Sequence, residues 1–468
     1  MIGKNIGWTI TKYGYGIASI ADSGCYNIVF IYFLFYLTDV AHLNPASASM
    51  ITSTAILWSG IMTAIVGSIS DNTFKRKGRK RSLLNKSIFP LVILISLLFT
   101  NFNFPTMYNT LYYLIVAICF WSAYTLFYVP YTALGAEITV DYQKRFELRT
   151  TARLFMIVGN VLGIILPLQI VGHASEIGMS DELAWQISAL IIGMISGITI
   201  AITYISTKGK ESEIKIQMTQ KKPIIKQHLE VVRIKPYLYI LVNAILFIAA
   251  NTMIYTLMPY YTKYNLKISD TAVSNVFIIS IFLSFLFMPL TTAVVRKLGK
   301  SQTLYAMMFF SGISMILLFL SKVDTYNEFI LFIAIYSLAS AAYWQIIFSI
   351  IYDVCEVDEF MNGAKREGTI LSVFSIINKI AYAAAIQLVG FLLNHFNYNA
   401  NLLHQSKETL TVIKYSFTLI PALLMLAAAT ILIFYPITKE KHLMLLQGLE
   451  LKRMGKTCPF DSLEKIFK

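Results

Sequence analysis

The sequence predicts an all-α membrane protein whose twelve transmembrane helices form two six-helix halves. Three observations predict it. Apolar runs long enough to cross a bilayer recur twelve times, basic residues crowd every second connecting segment, and the longest basic segment falls after the sixth run. Of the 468 residues, 56% are hydrophobic and 14% charged, whereas a soluble chain carries about 25% charged residues. A hydrocarbon layer about 30 Å thick needs roughly 20 apolar residues per helix, and the shortage of charge excludes an ordinary soluble domain. The formal net charge of +14 does not signal nucleic acid, because its lysines and arginines sit in short segments between apolar runs, where topology is set.

In chain order the expected spans are 14–38, 45–70, 86–104, 109–136, 150–172, 184–206, 236–261, 271–294, 303–321, 327–353, 369–394 and 412–435. Connections such as "DVAHLNPASAS", "NFNFPTMYN", "GHASEIGMSDELA" and "SKVDTYNE" hold few basic residues and read as outer loops. The alternate set, "DNTFKRKGRKR", "DYQKRFELR", "KGKESEIKIQMTQKKPIIKQ", "VRKLGKS" and "NGAKRE", is basic. By the positive-inside rule both termini face the cytoplasm, in a protein of the cytoplasmic (inner) membrane. The expected organisation is a bundle over 1–206, a central loop over 207–235, a second bundle over 236–435 and a tail over 436–468. "GSISDNTFKRKGRKR" after span two and "AVVRKLGKSQ" after span eight form a faint repeat between the halves. The first residues lack the apolar core of a cleaved signal, so the first span is expected to direct insertion. Four scattered cysteines with no paired spacing suggest neither a disulfide framework nor a zinc site.

An ionisable residue inside a span is costly and is a functional candidate by default. Asp22 lies in span one with Asn27 further along it. Lys379 lies in span eleven, one turn after Ser375 on the same face. Arg153 opens span five and reads either as a topology charge or as a ligand group. Trp344, in span ten, reads either as packing or as an apolar platform for a sugar ring. An acid and a base from opposite halves could hold a hydroxyl-rich solute by charge-assisted hydrogen bonds. Asp71, Glu137, Asp141, Asp353, Glu356 and Asp358 fall at inner helix ends near Arg79, Arg145, Arg149 and Arg366, and ion pairs among them are expected to form a cytoplasmic gate.

Several segments, in order, resemble the glycoside–pentoside–hexuronide:cation symporters of the major facilitator superfamily, the group that includes melibiose permease. They are "YGYG" then Asp22, "FYLTDVAHL", "VPYTALGAEITVDYQKRFELR" then Arg153, "YDVCEVDEF", "KREGTILSVFSIINK" and "FYPITKEKH". The resemblance implies cation-coupled uptake of sugars by alternating access. It implies a sugar-binding acid at Asp22, a sugar-contacting arginine at Arg153, a helix-ten tryptophan at Trp344, and a lysine beside the cation site at Lys379. The chain departs from the pattern where the cation should bind. Ser59 and Thr63 in "WSGIMTAIVG" stand where two helix-two acids would be, and Tyr128 replaces the helix-four acid before "VP". A sodium site favours carboxylate oxygen, and serine and threonine hydroxyls do not titrate, so the expectation is coupling to H⁺ or no coupling, with Asp22 and Lys379 the candidate proton carriers.

The expected protein is a monomeric transporter, surrounded by lipid, of a small solute of the sugar, glycoside or hexuronide class. No cofactor, metal, nucleic acid or enzymatic activity is expected. Two alternatives stay open: a carrier of an anionic, nucleoside-like or amphiphilic solute, and a non-transporting membrane sensor.

Overall fold

The computed structural model describes residues 2–71, 79–139, 141–210, 224–321, 323–363, 366–402 and 404–454. All regular structure among them is helical. Among the described residues, twelve helices are long and apolar enough to cross a membrane: Gly7–Val40, Pro45–Gly67, Lys80–Leu98, Thr106–Gly135, Gln143–Gly172, Asp181–Ser206, Lys235–Leu266, Asp270–Leu298, Lys300–Leu320, Tyr326–Asn362, Glu367–His395 and Lys407–Ile433. They are spans one to twelve below. The helix Ile224–Val232 precedes span seven, and the helix Lys439–Arg453 follows span twelve.

Two spans depart from their expected bounds for identifiable reasons. Span three begins and ends six residues early. Lys80 pairs with Glu137, and Arg81 donates to the Tyr204 carbonyl and covers its ring at 4.5 Å, so basic residues enter the helix. At its other end Asn101 and Asn103 form a local turn, with Asn103 at φ 53°, a conformation asparagine tolerates better than most residues. Span ten runs nine residues beyond its expected end. Its first turn is a capping box of Thr325 and Glu328, and it stops only at Gly363, whose φ of 68° suits a residue without a Cβ.

Three spans widen into π-helical turns, at Tyr36–Val40, Val161–Ile165 and Tyr261–Leu266. Each carries an extra residue per turn, a local distortion that recurs at functional sites.

The chain divides into two compact units. One comprises Met1–Gln217, Thr262–Ile278 and Ile386–Leu410. Span one is its most buried helix, and it meets span five through small residues: a Cβ at Gly159 would overlap Ser23 and Ile20, and one at Gly163 would overlap Gly24. Helices in lipid approach closely through such residues. Tyr36, Phe99, Tyr113 and Trp185 form an aromatic core, with Phe99 and Trp185 stacked at 5.9 Å. The late segments belong to this unit by equally close contacts, since a Cβ at Gly390 would overlap Ser49, and Ser53 donates to Gln387 at 3.0 Å.

The other unit comprises Met218–Tyr261, Ile279–Ala385 and Thr411–Lys468. Spans seven and twelve are tied by Asn243, which donates to the Ala428 carbonyl at 2.7 Å. Spans seven and ten meet at Phe247 and Tyr343, whose rings stack at 3.7 Å.

Candidate solute-binding site and charge clusters

In the first unit, the Tyr124 hydroxyl donates to Asp22 Oδ1 at 2.5 Å, linking span one to span four. Aromatic side chains surround the pair. Tyr26 packs against Trp121 and Tyr124 with centroids 5.9 and 6.2 Å away, and Tyr128 stacks on Tyr124 at 5.9 Å and 8°. One helical turn toward the start of span one, the hydroxyls of Ser19 and Tyr131 hydrogen-bond at 2.8 Å, and Tyr131 stacks on Tyr15. Asn27 donates to Asn160 at 2.9 Å, just before the π-turn of span five, and Arg153 lies exposed two turns earlier on that span. A carboxylate among aromatic rings is suited to a solute with hydroxyls on one face and C–H groups on another.

The positions where acids were expected hold hydroxyls directed at their own helix. Ser59 donates to the Ile56 carbonyl at 2.6 Å and Thr63 to the Ser59 carbonyl at 2.7 Å. The aromatic ring of Tyr128 faces Tyr124.

In the second unit, Trp344 is partly exposed and meets Tyr343 and Phe247 edge to face, at 5.2 and 6.4 Å. Its neighbour Gln345 donates to Thr292 at 2.8 Å. Ser375 is exposed and Lys379 half-buried on span eleven. Thus Asp22, Asn27, Ser59, Thr63, Tyr128 and Arg153 belong to one unit, and Trp344, Ser375 and Lys379 to the other.

The carboxylates at the helix ends where a gate was expected are engaged, two of them by lysines rather than the expected arginines. Glu137 pairs with Lys80, and Asp353 with Lys300 at 2.5 Å. Asp141 caps span five by accepting from the Lys144 N–H at 2.8 Å. Arg145 donates to the Thr139 carbonyl, and Arg149 is exposed. Arg366 does bind carboxylates. It grips Asp358 with two N–H groups at 2.8 and 2.5 Å and reaches Glu230 at 2.8 Å, in the bidentate geometry that guanidinium favours. The side chains of Asp71 and Arg79 lie outside the described residues.

Sequence reasoning passed over one cluster in the first unit. Asp39, in the first π-turn, has a buried carboxylate. It accepts from Lys263 Nζ at 2.8 Å, Tyr264 Oη at 2.6 Å, Tyr398 Oη at 2.5 Å and its neighbour Thr38 at 2.9 Å. Lys263 also lies 5.2 Å over the Phe35 ring. Two π-turns, 36–40 and 261–266, thus present the acid and two of its donors to each other. The available signal was an acid in an otherwise apolar stretch, "FYLTDVAHL".

Among the described residues, twelve helices apolar enough to cross a membrane, with ionisable groups within them and paired charges at their ends, define a polytopic membrane protein. A family model described as MFS/sugar transport protein matches residues 14–439, and the chain belongs to that family. It is 27% identical to the uncharacterized symporter YnaJ of Bacillus subtilis over 446 residues, covering 94% of each chain. It is 25% identical to a glucuronide carrier protein homolog of Escherichia coli, again covering 94% of each. It is also 25% identical to a sphingosine-1-phosphate transporter, MFSD2B, of Xenopus tropicalis, covering 86% of this chain and 83% of that one. Among solved structures, the nucleoside transporter NupG superposes with a TM-score of 0.67 at 14% identity, over 90% of this chain and 99% of its own. The shared fold is that of the major facilitator transporters.

Proposed function

We propose that the protein carries a sugar, glycoside or hexuronide across the cytoplasmic membrane by alternating access of two six-helix halves, with both termini inside. We further propose that it runs coupled to H⁺ or uncoupled, without Na⁺. The observation that carries the solute class is Asp22, held by Tyr124 beside the rings of Tyr26, Trp121 and Tyr128. Asp22 would accept solute hydroxyls, Asn27 and Arg153 would extend the polar face, and Trp344, Ser375 and Lys379 would contribute from the second half. The glucuronide carrier homolog, and relatives named as a putative glycoside/cation symporter and an isoprimeverose transporter, support this class.

The coupling reading rests on Ser59, Thr63 and Tyr128. Their oxygens are neutral, and a cation in a low-dielectric site needs compensating charge. Asp22 and Lys379 are the groups that could bind and release a proton during the cycle. The cluster around Asp39 would hold the outer gate shut, while Asp71, Glu137, Asp141, Arg145, Arg149, Asp353, Asp358 and Arg366 would serve the inner one.

A second reading, an anionic or amphiphilic solute, is favoured by exposed Arg153 and by the Xenopus relative. Uptake into proteoliposomes separates the two. A panel of neutral sugars, hexuronides and a lysophospholipid is offered, with Na⁺ and pH gradients imposed separately. Saturable sugar or hexuronide uptake, indifferent to Na⁺, is expected. Stimulation by Na⁺ overturns the coupling reading, and uptake of the lipid alone overturns the solute class.

A further inference from the structure

The helix Lys439–Arg453 packs within the second unit. Leu445 and Leu449, one turn apart, are buried, Thr438 caps its start, and Lys452 lies 3.8 Å over the Phe360 ring near its end. On the turn nearest span twelve, His442 Nε2 lies 2.7 Å from Glu356 Oε2 and 3.4 Å from Asp353 Oδ1, both on span ten. Lys300, at the start of span nine, pairs with the same Asp353 oxygen. Lys439 and Tyr435 line the same pocket, and the Tyr435 hydroxyl is buried with no hydrogen-bond partner among the described residues.

Charge decides what this cluster does. Two carboxylates face one permanent ammonium, Lys300, and Lys439 at the pocket wall donates to the Arg296 carbonyl instead. A neutral imidazole leaves the half-buried set one positive charge short, and an imidazolium balances it. Asp353, Glu356 and His442 offer atoms within 4.8 Å of one another, a spacing that would also suit a divalent cation. A divalent cation would exceed the single positive charge that is missing, so a proton on His442 is the better fit.

We propose that His442 is a proton-operated latch: its imidazolium fastens the C-terminal helix to span ten, and losing the proton loosens that helix. On the cytoplasmic placement argued above, the transporter's inner face would then sense the pH of the compartment it faces. Hydrogen bonding to Glu356 and the nearby Asp353 raise the His442 pKa above its ordinary value, against the opposing effect of burial. A raised pKa in the docked state fixes the sign. The latch is fully engaged below the free imidazole value of about 6.5 and is lost as pH rises through the docked value.

Amide hydrogen exchange of peptides covering 439–453 tests this on the full chain in nanodiscs, from about pH 5.5 to 8.5. The ratio of H442Q to wild type at each pH cancels the intrinsic pH dependence of exchange. At the acid end H442Q should exchange about tenfold faster, as expected for losing a hydrogen bond to a charged group, and the ratio should fall toward one as pH rises. E356Q keeps the imidazole and should move that fall to lower pH. A ratio that does not vary with pH overturns the latch, as does protection that appears only on adding Zn²⁺ and vanishes with chelator. If H442Q were misfolded, its exchange would be fast at every pH and in span ten as well, and the E356Q shift would then decide.

Discussion

Span one carries two carboxylates, Asp22 and Asp39, seventeen residues apart, or about 26 Å along a helix. They are the same chemical group on the same element, in opposite circumstances. Asp39 accepts four hydrogen bonds, one from an ammonium, and its carboxylate is buried. Among the described residues Asp22 accepts one, from a neutral phenol, and its residue is half-buried. An ionised carboxylate has about four acceptor sites, so Asp39 is saturated by the fold while Asp22 retains capacity. A saturated carboxylate fastens segments together, and an unsaturated one can take up a ligand or a proton.

Breaking the saturated site should cost the most. Asp39→Ala strands Lys263 and two phenols, and removing one member of a buried pair costs roughly 3–5 kcal/mol; thermal unfolding of the purified protein should register it as a large fall in Tm. Asp22→Asn should do the reverse. Uptake should drop about 100-fold, the worth of two lost charge-assisted hydrogen bonds, while Tm holds or rises because a desolvated charge has gone. A fall in Tm without loss of uptake would erase the distinction. The donors to Asp39 sharpen it further. Lys263→Met should cost roughly 2 kcal/mol, below the range for a fully buried pair because its ammonium side chain is 46% exposed, but above a surface pair because it leaves the buried Asp39 carboxylate without its counter-charge, and Tyr398→Phe about 1.5 kcal/mol.

The twelve spans were legible because bilayer crossing needs length and low charge, both local properties of sequence. Ser59, Thr63 and Tyr128 were legible as substitutions within a family pattern, and their side chains do turn to their own helix or to a neighbouring ring. The partners of Asp39 were not legible. All but the neighbouring Thr38 lie 224 to 359 residues away, and nothing in "FYLTDVAHL" spells them out. The C-terminal helix was likewise read only as part of a tail. Its evidence was present in "TKEKHLMLLQGLE", a threonine cap followed by leucines at a spacing of four, but that signal is short beside the apolar runs. Lys80 and Lys300 were passed over as ordinary topology charges because positive-inside reasoning assigns basic residues to a side of the membrane and not to a partner.

The π-turn at Tyr261–Leu266 offers a different kind of handle. Because a π-turn holds one residue more than an α-turn, deleting a single residue there would let the helix relax into regular geometry instead of breaking it. The backbone would keep its hydrogen bonds and the helix beyond the deletion would keep nearly its facing, since four α residues turn about as far as five π residues, so only the side chains inside the turn would be re-aimed. Lys263 and Tyr264 would no longer arrive together at Asp39. A length variant, rather than a substitution, would therefore be the cleaner way to uncouple that contact from the helix that delivers it.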